Sequence, residues 1–128
     1  MLVDDTEDVR GVITALMVYD GRFEVVGTAG NGRDGVSLAG DVQPDLVLLD
    51  LAMPVMDGLT ALPLIRAAAP GAKVVVLSAF GNDESVQAAL GRGAAAFVPK
   101  GGRLLDTLIP VLEEVLGLEE PGGEAERG

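Results

Sequence analysis

The sequence predicts an α/β domain: a doubly wound, five-stranded parallel sheet with helices on both faces. Three observations carry this. Leu46–Leu49 and Val74–Leu77 are uninterrupted aliphatic runs, the pattern of strands covered on both sides. Segments with helical apolar spacing lie between such runs. The length, 128 residues, suits one domain with a core of its own.

Taken in order, the first strand has only Met1-Leu2-Val3 before the acidic pair Asp4-Asp5. A mean strand is about 5–6 residues, so the spacing predicts a clipped strand confined to about Met1–Asp4, flanked by longer neighbours. Val9, Val12, Ile13, Leu16 and Met17 then mark one face of a helix. Asp5 or Thr6 can cap its start, and Asp20-Gly21 ends it. Phe23–Ala29 reads as the second strand. Asn31-Gly32 leads into a short helix over Arg33–Ala39.

Leu46–Leu49 is the third strand, and Asp50 closes it. Thr60–Ala69 reads as a helix with Pro63 in its first turn, where proline is tolerated. Asp57 serves as a turn or cap residue, and Pro70-Gly71 breaks the helix. Lys73–Ser78 is the fourth strand. Asn82 or Asp83 caps a helix through Leu90, and Ala95–Val98 is the fifth strand. Leu105, Leu108, Leu112, Val115 and Leu116 mark a last amphipathic helix, which Pro110 is expected to kink or delay. The final segment, EEPGGEAERG, predicts a disordered acidic tail at 119–128 beyond a domain at 1–118. No second domain is visible after Leu116, which fits either a stand-alone unit or a fragment of a longer protein.

Composition excludes whole classes of chemistry. There is no Cys and no His, so disulfides, thiolate and imidazole metal sites, and serine–histidine triads are absent. The net charge of −11 repels phosphate backbones, so direct nucleic-acid binding is not expected. No apolar run approaches the ~20 residues of a membrane span, and the first residues lack the features of a signal peptide. A cytoplasmic location is the default expectation.

In an open parallel sheet, chemistry collects outside the carboxyl ends of the strands. Those ends carry Asp4 and Asp5, Asp50, Ser78 and, after the fifth strand, Lys100. Two carboxylates ~4 Å apart repel by roughly 4 kcal/mol at an effective dielectric near 20. Three together need counter-charge. Lys100 supplies one, and a hard divalent cation with oxygen ligands, Mg²⁺, suits the remainder.

Four segments in this order, LVDD, LLDLAMPVMDGLT, VVVLSA and GAAAFVPK, resemble the receiver domain of bacterial two-component response regulators. The resemblance covers about Met1 to Leu116. It implies a flavodoxin-like fold with strand order 2-1-3-4-5. It further implies that Asp50 is the phosphoacceptor, charged by a sensor histidine kinase or phosphotransfer protein. Mg²⁺ would then be held by Asp5, Asp50 and the backbone carbonyl of Ala52, with Asp4 acting mainly through water. Lys100 would pair with phosphoryl oxygens, and Ser78 would hydrogen-bond the group. Phe97 would swing inward as Ser78 moves. The implied partners are the kinase, a downstream protein target and a second copy docking through the last helix. The implied chemistry is at most self-phosphorylation and self-dephosphorylation. The chain departs from the family where Pro99 precedes Lys100 and Gly101-Gly102 follow it.

Two other readings stand beside this one. Gly30, Gly32 and Gly35 fit G-x-G-x-x-G after a strand and before a helix, the setting of a dinucleotide site. That reading leaves Ser78 and Lys100 unexplained, and Asp4-Asp5 would repel a pyrophosphate. The other is a degenerate receiver that acts as a protein-interaction module without phosphorylation.

Overall fold

The computed structural model describes residues 1–79 and 83–118. The expected cap at Asn82 and the tail at 119–128 lie outside the described residues. Ten elements alternate: β1 Leu2–Val3, α1 Glu7–Asp20, β2 Thr28–Ala29, α2 Gly32–Val42, β3 Leu46–Asp50, α3 Gly58–Ala68, β4 Lys73–Ser78, α4 Asp83–Gly91, β5 Ala96–Pro99 and α5 Leu104–Leu116. The strands form one parallel sheet in the order β2-β1-β3-β4-β5.

Strand alternation splits the core in two, because successive side chains point to opposite faces. Val47, Leu49, Val74 and Val76 face one way and join Leu62 and Ile65 of α3 and Ala89 of α4. Leu48, Val75 and Leu77 face the other way and join Ile13 and Met17 of α1 and Leu108 and Leu112 of α5. β3 and β4 are therefore apolar on every position of their shared centre, as their unbroken aliphatic runs require.

β1 has two residues, as the spacing predicted, but only one of its two neighbours is longer: β3 has five residues and β2 has two. The second strand is shorter than the Phe23–Ala29 reading: only Thr28–Ala29 is a strand. The reason is topological. β2 is an edge strand whose one neighbour is β1, so residues 23–27 have no ladder to join beyond the start of β1.

Other corrections are local. Val12 is 47% exposed and Leu105 is 51% exposed, so each falls off the buried stripe of its helix. α2 runs on to Val42, past the expected end at Ala39. α3 starts earlier than expected, at Gly58, because Asp57 caps it by accepting from Thr60 N at 2.8 Å. Pro63 is thus inside the helix. Lacking an N–H, it leaves the Leu59 carbonyl without its helical donor, and Arg92 Nη1 donates there at 2.9 Å. Pro110 also lies inside its helix; α5 begins at Leu104, with no delayed start.

Candidate functional site

The parallel order brings four strand ends to one rim. Asp4 follows β1, Asp50 ends β3, Ser78 ends β4 and Lys100 follows β5. Asp4 and Asp50 are buried, at 0% and 2% exposure, while Asp5 is exposed. Carboxylate oxygens of Asp4, Asp5 and Asp50 all lie within 4.8 Å of one another. Lys100 Nζ stands 2.8 Å from Asp4 Oδ2 and 3.1 Å from Asp50 Oδ2. The contact to Asp4 is an ion pair whose alignment leaves that buried oxygen without a hydrogen bond.

Local backbone explains each placement. Asp4 Oδ1 accepts from Thr6 N at 2.8 Å, which turns the chain from β1 into α1. Arg10, one turn into α1, donates from its guanidinium to the Asp4 backbone carbonyl. Asp50 Oδ1 accepts from Ala52 N at 3.2 Å. Lys100 N donates to the Ser78 carbonyl at 2.8 Å, so the lysine is held at its backbone although Gly101-Gly102 follow it. A Cβ on Gly58 would overlap the Asp50 carbonyl, and Gly58 N donates to the Leu51 carbonyl at 2.9 Å. Only glycine lets α3 begin this close to the end of β3.

Electrostatics follow from burial. Desolvation, and next the Asp4 carboxylate beside it, push the Asp50 carboxyl up to about 6; Ala52 N–H and Lys100 pull the other way. For Lys100, burial alone would lower the pKa. The carboxylates of Asp4 and Asp50 outweigh it and raise the ammonium above its ordinary value. The rim therefore holds a charged lysine against carboxylates that exceed it in number.

The residues expected at the site divide. Asp4, Asp5, Asp50 and Lys100 come together. Ser78 is buried at the neighbouring strand end. Phe97 is not at the rim: it is in register with Val76, half-buried against the cluster under α3 and α4. Sequence reasoning misses Arg10 and the close approach at Gly58. Gly58 is legible only as a turn residue, and Arg10 has no signal beyond its place soon after the acidic pair.

Two of the three glycines of the dinucleotide-like motif, Gly32 and Gly35, serve packing. Gly32 N donates to the Met56 carbonyl at 3.1 Å, and a Cβ at Gly32 would overlap that carbonyl. A Cβ at Gly35 would come 3.0 Å from the Val3 side chain, so this glycine brings α2 against β1.

Known proteins are similar to this chain in sequence and in fold. The response regulator receiver domain family matches residues 1–109. Chemotaxis protein CheY of Listeria monocytogenes is 42% identical over 111 residues, which are 84% of this chain and 92% of that protein. A protein-glutamate methylesterase/protein-glutamine glutaminase of Maricaulis maris is 38% identical over 109 residues; the match spans 81% of this chain but 27% of that enzyme's length. Among solved structures, a chain of the CheX-CheY-BeF3-Mg+2 complex from Borrelia burgdorferi superposes with a TM-score of 0.83 at 30% identity, covering 90% of this chain and 86% of that one. The response regulator domain of Thermotoga maritima CheB gives 0.79 at 26%, covering 91% and 92%. With its four strand ends on one acidic rim and this match along most of its length, the chain belongs to the response regulator receiver domain family.

Proposed function

We propose that Asp50 accepts a phosphoryl group from the phosphohistidine of a sensor kinase or phosphotransfer protein. One observation carries the reading: Lys100 lies within 3.1 Å of both buried carboxylates, Asp4 and Asp50, at the carboxyl end of the sheet. The Asp50 carboxylate oxygen forms the new P–O bond. The P–N bond breaks, and its electron pair stays on the donor's imidazole nitrogen. Phosphoryl transfer of this kind asks for positioning and charge neutralisation, with no strong base. A chain without histidine can therefore perform it.

The donor set fits Mg²⁺. Three carboxylates against one ammonium leave a formal −2 in the cluster (−3 + 1), all of it on oxygen. Asp5, Asp50 and the Ala52 carbonyl would hold the ion, with Asp4 mainly through water. When bound, it offsets charge on the carboxylates and on the phosphoryl oxygens. Lys100 is placed to pair with a phosphoryl oxygen, and Ser78 to hydrogen-bond another. The output is a change in the surface of α4, β5 and α5, which a downstream protein reads.

The test is labelling with acetyl phosphate, with and without EDTA, followed by transfer from candidate kinases. Label is expected on the wild type with Mg²⁺, lost in Asp50→Asn and reduced in Asp5→Ala. Label that persists in Asp50→Asn overturns the assignment. No label on the folded wild type favours the phosphorylation-independent interaction module.

A further inference from the structure

The Asp4 carbonyl has no ladder partner. Leu2 N donates to the Gly27 carbonyl and Asp4 N to the Ala29 carbonyl, at 3.1 and 3.0 Å. Continued by one step, this parallel register would have the Asp4 carbonyl accept from Asn31 N. Asn31 has left the strand to cap α2, where its side chain accepts from Asp34 N at 2.9 Å. Among the described residues, no backbone N–H donates to the Asp4 carbonyl. Asp4 is fully buried, so water is no substitute, and a buried carbonyl without a donor is costly. The Arg10 guanidinium takes the missing place.

Gly30 makes room for it. A Cβ there would stand 3.3 Å from Arg10 Nη1, the same nitrogen that donates to Asp4. That is tighter than ordinary contact, and a guanidinium fixed by its hydrogen bond can yield only by weakening it. Packing against Met56 and Val3 explains Gly32 and Gly35; contact with Arg10 explains the remaining glycine of the G-x-G-x-x-G stretch.

The carbonyl that Arg10 holds belongs to the peptide joining Asp4 to Asp5. That unit is planar and stiff, so holding its oxygen orients the Cα from which the Asp5 carboxylate projects. The Arg10 charge acts the other way, since a cation beside three carboxylates repels a second cation. The two effects predict opposite signs for metal affinity.

Given the Mg²⁺ site proposed above, on which this rests, we propose that Arg10 is a positioning residue for the ion: it fixes the Asp4–Asp5 peptide so that the Asp5 carboxylate stays with those of Asp4 and Asp50, and Gly30 is kept small to admit its guanidinium. Loss of a group that orients a metal ligand from behind weakens binding by about 10–100-fold.

The experiment titrates MgCl₂ into metal-free wild type, Arg10→Ala, Arg10→Lys, Gly30→Ala and the Arg10→Ala/Gly30→Ala double variant. Amide NMR shifts of Asp5 and Ala52 are followed well below each melting temperature. Arg10→Ala is expected to raise the Mg²⁺ Kd by about tenfold or more. Arg10→Lys, which keeps the charge and a donor, should raise it less. Gly30→Ala should also raise it, and should add nothing further once Arg10 is gone. Thr6 N donates to Asp4 Oδ1 in the same turn, so its amide exchange, read in EDTA, should be faster in Arg10→Ala. With Mg²⁺ bound by the wild type, an unchanged Kd in folded Arg10→Ala overturns this proposal alone, and a lower Kd overturns it in favour of simple repulsion. If Arg10→Ala does not fold, unchanged Kd values in both Arg10→Lys and Gly30→Ala overturn it. A wild type that binds no Mg²⁺ overturns the Mg²⁺ reading and this proposal with it, while Thr6 exchange still reports whether Arg10 holds the turn.

Discussion

Lys100 Nζ lies 3.1 Å from Asp50 Oδ2, yet the Asp50 carboxyl is still pushed up to about 6. Burial and the Asp4 carboxylate outweigh the lysine. A free aspartate titrates near 3.9, so between about pH 4 and 6 the folded protein binds a proton that the unfolded chain has released. The stabilisation from that proton is full below the ordinary value and is lost as pH rises through about 6. Metal-free protein should therefore lose on the order of 1–3 kcal/mol across this window, because each tenfold difference in proton affinity between the folded and unfolded chain is worth ~1.4 kcal/mol. Asp50→Asn should flatten that slope and melt higher than the wild type at pH 8. Urea unfolding at a series of pH values in EDTA measures this; a wild-type curve as flat as the mutant's would contradict it.

Gly58 tests how tightly the phosphoacceptor is wedged. Alanine there would drive a methyl into the Asp50 carbonyl. Gly58→Ala should cost about 3 kcal/mol or more and reduce labelling of Asp50 in the fraction that folds. Gly11 is the control. It is exposed within α1 and has nothing within 4 Å of where a Cβ would stand. Gly11→Ala should stabilise by about 0.5–1 kcal/mol. Denaturant midpoints of the two variants should move in opposite directions.

Arg92 and Pro63 should be thermodynamically coupled through the Leu59 carbonyl. Arg92→Ala removes that carbonyl's donor at an exposed site, for a loss of about 0.5–1 kcal/mol. Pro63→Ala supplies a helical N–H in its place. In the Pro63→Ala background, Arg92→Ala should cost measurably less. A double-mutant cycle from urea unfolding gives the coupling, and strict additivity would show that the arginine acts elsewhere.

Ser78 and Phe97 should form the element that reads the phosphoryl group. Ser78 pairs in register with Pro99, and Phe97 with Val76, so the two residues occupy adjacent strands two register positions apart. Phe97 is half-buried and has burial left to gain. A near-complete switch, from 1:99 to 99:1, needs about 5.5 kcal/mol. Burying a phenylalanine contributes roughly 1.5–3, and a charge-assisted hydrogen bond roughly 1.5–3. Both are needed. Ser78→Ala should keep Asp50 labelling largely intact while shrinking the beryllofluoride-induced NMR shifts near Phe97 and along α4. Full-sized shifts in the mutant would mean that the signal takes another route.

By itself the sequence determined the fold class, the strand order through its family resemblance, and the identity of the rim. The unbroken runs Leu46–Leu49 and Val74–Leu77 can be satisfied only by strands covered on both faces. The residues after such strands must then gather at one edge, which is why Asp4, Asp5, Asp50 and Lys100 were legible as a cluster. The brevity of β1 was legible too, from the three residues ahead of Asp4. Tertiary structure decided what depends on a neighbour. Phe23–Val26 has strand composition but no strand beside it, because hydrogen bonding needs a partner and β1 begins only at Leu2. The value near 6 for Asp50 comes from burial and from Asp4, far from it in sequence. The tolerance of Pro63 deep in α3 rests on Arg92 of the segment after α4, and the need for glycine at 58 rests on the Asp50 carbonyl. Each of these is a contact across the fold, and local pattern carries no information about which groups the fold will bring within reach.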